Sequence, residues 1–576
     1  MTANFAFPFR RIIVMAVMAA GVSALLWKAI DLQLNHAEFL KTQGDARHLR
    51  VVKIPSTRGR ILDRNNEPLA ISTPVNSVCA NPKELALDRN RWPELAHLLG
   101  MDEDKLQRLI AKRIGKEFIY LRRRINPELS KQVKALKLSG VYLKREYKRF
   151  YPTAEVAAHA VGFTNIDDEG QEGLELAYDD WLQGQDGRKR VLIDRYGQVV
   201  EDVEMIESAR DGSDLFISID KRIQYIAYRA LKAAVKQHDA LGGSVVVMDV
   251  RTGEVLAMAN QPAYNPNNGA ERVGDRFRNR AVTDVFEPGS TVKPFTVASA
   301  LETGKFRPHS LIDTNPGSMR IGGNKVTDIK NFGIIDVATV LKKSSNVAAS
   351  KMALALDAEH LWDTFQSVGF GKVTGSGFPG ESAGILTDYY GWSEFERATL
   401  SFGYGLSVTP LQLAHAYAVV ANGGLMVPVT LVKTDFSEEP RRVMPAYAAL
   451  QVRKMLEGVT HVGGTATRAS IVGYRVAGKT GTTRKSAAGG YSENRYLAVF
   501  AGIVPASAPR LVGVVTIDEP KAGDYYGGQV AAPVFAEVLA GALRLQGIAP
   551  DSPSAERTTL VTKDVALPFI NEVAVQ

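Results

Sequence analysis

Cysteine is all but absent from these 576 residues: Cys79 stands alone, so no disulfide within the chain can brace the fold. An exported chain of this composition must be stable on packing alone, and Cys79 reads as a core residue, since cysteine is commonly buried. Long runs of one charge are also missing. The formal charge of +8 suits an acidic polymer or an anionic membrane, but no basic stripe marks a nucleic-acid surface. Arg122-Arg123-Arg124 and Lys144 to Arg149 read instead as solvated faces. No HExxH, no GxSxG and no His-based triad is evident, and no metal-ligand set stands out.

What is present is a chain too long for one ordinary domain, with 45% hydrophobic and 23% charged residues, the balance of a protein that buries real cores. Near the N-terminus, Ile12 to Trp27 is uncharged and apolar. That core is slightly short for a membrane span, which needs about 17 to 25 residues, so a signal peptide is the rival reading. No small-x-small cleavage site follows, and Trp27 with Lys28 resembles an interfacial anchor, which favours a retained span over 12–34. Arg10 and Arg11 place residues 1–11 in the cytoplasm and the remainder outside, where ATP and reduced cofactors are absent.

From His36 to about Ser213 short strands and turns mix with charged helical pieces, such as Asp102 to Lys116. At Leu215 the texture changes, which puts a domain boundary there, between 35–214 and 215–550. Ser244 to Asp249 and Val255 to Asn260 flank the turn Arg251-Thr252-Gly253-Glu254 as a hairpin, and Tyr496 to Val504 and Leu511 to Ile517 form a second β pair. Helical segments lie between, including Val292 to Thr303, Val337 to Leu356 and Leu411 to Ala421. Strands at both ends with helices between them predict an α+β domain, an antiparallel sheet covered by helices. After Pro550 the polar tail, 551–576, reads as poorly ordered.

Two Ser-x-x-Lys tetrads occur, about the number expected by chance. Ser218 to Lys221 sits in an alternating strand, where residues three apart face opposite sides. Ser290-Thr291-Val292-Lys293 follows the turn Glu287-Pro288-Gly289 and opens an apolar helix, so Ser290 and Lys293 fall on one helical face. Pro294 predicts a tight or distorted first turn. Ser344-Ser345-Asn346 alone would read as a helix cap, and Lys479-Thr480-Gly481-Thr482 alone as a strand end and turn. Their order, SxxK then SxN then KTG, is the set of the active-site serine penicillin-interacting enzymes. Gly473 to Thr480 also spells a P-loop, but a loop and strand follow where a helix is required; Gly375 to Gly380 spells GxGxxG without a following helix. Neither supports a nucleotide site.

With these residues in view, the chain resembles the class B penicillin-binding proteins, and most closely their division-specific, septal branch in Gram-negative bacteria. RGRILDRNNEPLA (Arg58 to Ala70), RFYP (Arg149 to Pro152) and GQEGLE (Gly170 to Glu175) are similar to the family's pedestal motifs. FEPGSTVKPF, KKSSN, GYGLSVTPLQLA (Gly403 to Ala414), GKTGTT and YYGGQVAAPVF (Tyr525 to Phe535) are similar to its transpeptidase domain, and RVLIDRYGQVVEDV (Arg190 to Val203) adds to the septal likeness. The resemblance implies a single membrane helix, an elongated β-rich pedestal and a transpeptidase domain, with no cofactor and no metal. It also implies a serine acyl-enzyme on peptidoglycan stem peptides ending in D-Ala-D-Ala. In that scheme Ser290 is the nucleophile, Lys293 its base, Ser344 a proton relay, and Asn346 holds the donor amide. Lys479 supplies positive potential, Thr480 and Thr482 bind the terminal carboxylate, Gly481 permits close approach of the peptide, and the N–H groups of Ser290 and Thr482 form the oxyanion hole. Implied partners are β-lactams, a septal SEDS-family glycosyltransferase and other membrane proteins of the division machinery. A β-lactamase or penicillin sensor, or a non-catalytic divisome scaffold, are the rival readings.

Overall fold

The computed structural model describes residues 8–36, 38, 49–193, 199–434, 439–487 and 490–552. Most of the tail beyond Pro550, the first seven residues, and part of the Arg190 to Val203 motif therefore lie outside the described residues. The chain forms two compact units, neither continuous in sequence: one takes the chain up to Arg58, Thr73–Lys148 and Gln183–Gly212, the other Gly59–Ser72, Arg149–Leu182 and the chain from Ser213 onward. The chain enters the second unit for the last time at Ser213, beside the boundary expected at Leu215, while Gly59–Ser72 and Arg149–Leu182 of the stretch read as pedestal also belong to that unit.

The N-terminal helix α1 (Pro8–Leu34) has a mean hydropathy of 2.0 over its apolar window and none of that window is buried, so it is long and apolar enough to cross a membrane. The first unit then holds β1 (Leu49–Ile54) and most of β2 (Pro68–Ala80). It continues through α2 (Glu103–Lys112), β3 (Ile119–Ile125), β4 (Val141–Phe150), β5 (Gly187–Ile193) and β6 (Val199–Glu207). Antiparallel β1, β5 and β6 make one sheet, and β2 pairs with β3 in another. Asp102 caps α2 by accepting the Lys105 N–H at 3.1 Å, and Leu106 and Ile110 turn inward onto a core with Val78, Trp92, Leu95 and Ile119. Cys79 of β2 is fully buried, and burial pushes its thiol up to about 12, so it is an inert interior residue.

In the second unit the turn after Ile61 is tied by Asp63, whose carboxylate accepts the N–H groups of Asn65, Glu67 and Lys221. The last of these fixes the start of α3 (Lys221–Gln237). The lysine- and arginine-rich stretch ending at Arg149 is not wholly a solvated face. Arg149 donates to Glu175 at 2.6 Å with both side chains buried, joining the RFYP and GQEGLE segments. Alternation along β4 sends successive residues to opposite sides, so one end of a basic run can enter the core.

Strands β7 (Gly242–Asp249), β8 (Val255–Gln261), β11 (Ala477–Ala487), β12 (Gly490–Val504) and β13 (Leu511–Asp518) form an antiparallel sheet in the order β8-β7-β13-β12-β11. A small hairpin, β9 (Ser318–Ile321) and β10 (Asn324–Thr327), lies between them in sequence. Helix α3, together with α7 (Pro410–Ala421) and α9 (Gly527–Leu545), packs against the sheet. Helix α9 is apolar enough to pass for a membrane span, yet it is mostly buried: Phe535 lies edge-on to Phe500 at 4.8 Å in the sheet core. Three further helices, α4 (Lys293–Glu302), α6 (Asn346–Leu354) and α8 (Ala446–Thr460), pack together, with α5 (Val337–Lys343) against α8. The expected α+β architecture is present.

Candidate active site

Ser290 lies in a 3₁₀ turn, Gly289–Val292, that runs directly into α4 with Pro294 in its first turn. Lys293 itself keeps right-handed helical geometry, φ −50° and ψ −34°, so the tightening comes from the donor that Pro294 lacks: the Ser290 carbonyl takes the Lys293 N–H instead, which closes a 3₁₀ turn. Thr291 Oγ1 donates to the Pro288 carbonyl at 2.7 Å, and Tyr417 of α7 donates to the Thr291 carbonyl at 2.9 Å, so both sides of Ser290 are pinned. Gly289 has φ +54°, and a Cβ there would sit 2.4 Å from Thr483 Cγ2 of β11.

The helix expected over Val337 to Leu356 is two helices. Ser344 takes a left-handed conformation, φ +62° and ψ +42°, which ends α5, and Ser345 starts α6 by accepting the Ala348 N–H at 3.0 Å. The bland cap role therefore belongs to Ser345. Ser344 and Asn346 are left to point elsewhere. The KTG residues also differ from expectation: they lie inside β11, which continues to Ala487 and returns as β12, so the segment after Thr482 is the arm of a hairpin. Gly481 has its own reason to be glycine, because a Cβ there would meet the Pro288 carbonyl at 2.9 Å and Thr291 Cγ2 at 3.1 Å. The space expected for an incoming peptide at that point is filled by the Ser290 turn.

These elements converge on one buried cluster. Lys293, fully buried, places Nζ 2.7 Å from the Ser344 carbonyl, 2.7 Å from Asn346 Oδ1 and 3.1 Å from Ser344 Oγ. Lys479, equally buried, donates to Ser344 Oγ at 2.9 Å and to the Thr480 carbonyl at 3.2 Å. Ser344 Oγ thus sits between two amines. Among the described residues Ser290 Oγ has no hydrogen-bond partner and is partly exposed. Burial and then the positive charge of Lys479 hold Lys293 well below the usual lysine range, while Asp328 opposes that shift. Burial alone lowers Lys479 to about 7. Thr480 and Thr482 are already engaged, Thr480 with Thr465 at 2.9 Å and Thr482 as acceptor of the Gly527 N–H at 3.0 Å; the latter leaves the Thr482 O–H available.

Matches to known proteins identify the family. Residues 243–540 match the model of the penicillin-binding protein transpeptidase domain, more than half of the chain. The chain belongs to the class B penicillin-binding proteins. Residues 53–217 match the penicillin-binding protein dimerisation domain. The chain is 44% identical over 537 residues to the peptidoglycan D,D-transpeptidase FtsI of Escherichia coli, covering 92% of this chain and 91% of that one. It is 41% identical over 544 residues to a probable peptidoglycan D,D-transpeptidase, PenA, of Neisseria gonorrhoeae, covering 94% and 93%. Among solved structures, it resembles a peptidoglycan synthetase from Bifidobacterium adolescentis with TM-score 0.70 at 25% identity, over 88% of this chain and 98% of that one. The transpeptidase domain of penicillin-binding protein 3 from Burkholderia pseudomallei matches with TM-score 0.54 at 42% identity, over 58% and 98%.

Sequence reasoning did not single out Thr327, Asp328 or Thr465. Thr327 accepts the Asn346 Nδ2–H at 3.1 Å through its carbonyl and so orients the amide, with Oδ1 toward Lys293. Such contacts span irregular stretches and leave no periodic signal.

Proposed function

We propose that this chain is a peptidoglycan D,D-transpeptidase of the division septum that works through an acyl-enzyme on Ser290. The observation that carries this reading is the Lys293–Ser344–Lys479 chain one helical turn from an unpartnered serine hydroxyl. A neutral amine has two N–H groups and one lone pair. At Lys293 two carbonyl oxygens, those of Ser344 and Asn346, take the two N–H groups, and the lone pair is left for a hydroxyl proton, with Ser344 Oγ as the third neighbour of Nζ at 3.1 Å.

In the proposed reaction Ser290 Oγ adds to the penultimate carbonyl of D-Ala-D-Ala as its proton passes to Lys293. The C–N bond to the terminal D-alanine breaks, and Ser344 relays to the leaving amine the proton that Lys293 took up, so Lys293 is again the free amine and Lys479 keeps its charge beside the carboxylate. An acceptor stem-peptide amine then attacks the ester, forms the new amide and returns the proton to Ser290. Backbone N–H groups of Ser290 and Thr482 stabilise the oxyanion. Asn346 holds the donor amide, and the hydroxyls of Thr480 and Thr482, beside Lys479, hold the carboxylate. Strand β11 is the edge of its sheet, which suits an extended donor added as a further strand. β-Lactams are trapped by the same serine. No metal or nucleotide enters any step.

The test uses the full-length chain in detergent with a D-Ala-D-Ala donor and an amine acceptor. Release of D-alanine together with a new peptide bond is expected, and neither in Ser290→Ala. Rapid hydrolysis of β-lactams would instead favour the β-lactamase reading, and absence of any acylation the scaffold. We further propose that α1 anchors the chain in the inner membrane with its N-terminus cytoplasmic and the catalytic unit periplasmic. A septal SEDS-family glycosyltransferase is the proposed partner. Reporter fusions after residue 40 and co-purification under mild detergent check these two statements.

A further inference from the structure

We propose that Asp328 is a positioning residue for this acyl-transfer site, holding the Ser344-Ser345-Asn346 turn from the end of the β9–β10 hairpin. The proposal rests on the Ser290 reading above.

Asp328 follows β10 directly. One carboxylate oxygen accepts the backbone N–H groups of Asn346 and Val347, the latter at 3.0 Å, and the other accepts the Ser345 hydroxyl at 2.6 Å. It therefore takes up two of the free N–H groups at the start of α6 and locks the residue that caps that helix. The neighbouring Thr327 carbonyl sets the Asn346 amide from the same strand end. The hairpin is not a loose loop. Ile321 and Val326 are buried against Val347 of α6 and against Ala398 and Phe402, and the Asp328 N–H donates to the Gly317 carbonyl at 2.9 Å.

The turn that Asp328 holds supplies all three acceptors around Lys293 Nζ. It also contains a serine in the left-handed region, a conformation that L-residues adopt at some cost and that the surroundings must impose. Without the carboxylate, Ser344 and Asn346 lose the clamp that fixes them against Lys293 and Lys479.

Asp328 has a second, separable effect, which is electrostatic. Among the described residues two charged groups act on Lys293: Lys479 from β11 and Asp328 from the hairpin, while Ser344 and Asn346 present neutral atoms. The carboxylate stabilises the protonated lysine and the second cation destabilises it. Removing the negative charge lowers the Lys293 pKa further, so the amine stays free base to lower pH. The acid limb of the acylation profile then moves to lower pH. A purely structural cap would leave that limb where it is.

The experiment measures the rate of acylation by a fluorescent penicillin across the pH range, in full-length wild type and in Asp328→Asn, Asp328→Glu and Asp328→Ala. Thermal unfolding gives the folded fraction of each, and the adduct is mapped in wild type. Asp328→Asn, which keeps an acceptor for the N–H groups but no charge, is expected to shift the acid limb downward by about half a unit or more. Asp328→Glu, which keeps the charge but moves it, is expected to leave the limb in place and lose rate. Asp328→Ala is expected to acylate roughly tenfold to a hundredfold more slowly at its plateau, per folded molecule. An Asp328→Asn profile superimposed on wild type overturns the electrostatic role. Wild-type plateau rates in folded Asp328→Ala overturn the positioning role. A wild-type adduct on a residue other than Ser290 overturns the Ser290 reading itself, and this proposal with it.

Discussion

Ser218 and Ser290 each stand three residues before a lysine, in the same unit of the same chain, and their surroundings are opposite. Ser218 is fully buried, and its hydroxyl donates to the Val255 carbonyl at 2.7 Å and approaches the Thr430 carbonyl at 3.2 Å. Lys221 begins α3 and reaches into solvent toward Glu67 at 3.4 Å, with 38% of its side chain exposed. At the second tetrad the burial is reversed. The serine hydroxyl is partly exposed and unpartnered among the described residues, and the lysine is the buried member. A buried hydroxyl whose proton is already given to a carbonyl is closed to a substrate, and a lysine turned into solvent lacks the desolvation that favours a free amine. What distinguishes a nucleophile from a structural serine is which partner of the pair is desolvated.

The comparison breaks first at the serines. Ser290→Ala is expected to abolish acylation by penicillin, a loss on the order of a millionfold in systems where such residues act as a unit, whereas Ser218→Ala labels at the wild-type rate per folded molecule. The lysines give the next largest contrast. Lys293→Ala should slow acylation roughly a hundredfold to ten-thousandfold, the usual worth of a positioned base, while Lys221→Ala leaves it unchanged; stopped-flow labelling measures both. The pH profile sharpens the difference. Lys293 accepts a proton only as the free amine. Because burial and Lys479 hold its pKa well below 10.5, acylation should be near its plateau at neutral pH and fall as the pH drops through the lowered pKa. An acid limb close to the ordinary lysine value would contradict that. The smallest effect is on stability. Ser218→Ala takes the hydroxyl donor from the buried Val255 carbonyl and should cost about 1 to 3 kcal/mol in chemical denaturation, against less than about 1 kcal/mol for Lys221→Ala, whose ion pair is exposed.

Some of this was legible in the sequence and some could not be. The turn before Ser290 and the apolar run after it prescribe a helix start, and Pro294 prescribes its distortion; both are local effects, and the 3₁₀ turn follows from them. The two β pairs at 244–260 and 496–517 likewise follow from alternation and turn residues. Periodicity failed where two residues override a run. Val337 to Leu356 is helical in pattern throughout, yet Ser344 breaks it because tertiary contacts to Lys293, Lys479 and the Asp328 loop compensate for a left-handed residue. Beyond Thr482 the polar residues resemble a loop, but they form the exposed arm of a long hairpin, since pairing with β12 requires backbone rather than apolar side chains. The buried Arg149–Glu175 pair and the discontinuous units depend on residues 26 or more positions apart meeting in space, which composition cannot reveal.

The central claim is that Ser290, and not the identically spelled Ser218, carries the acyl group. The most direct measurement is peptide mapping by mass spectrometry after the full-length chain has reacted with a β-lactam. The account predicts one adduct, on the peptide containing Ser290 and absent in Ser290→Ala. An adduct on Ser218, or undiminished labelling in Ser290→Ala, would contradict it.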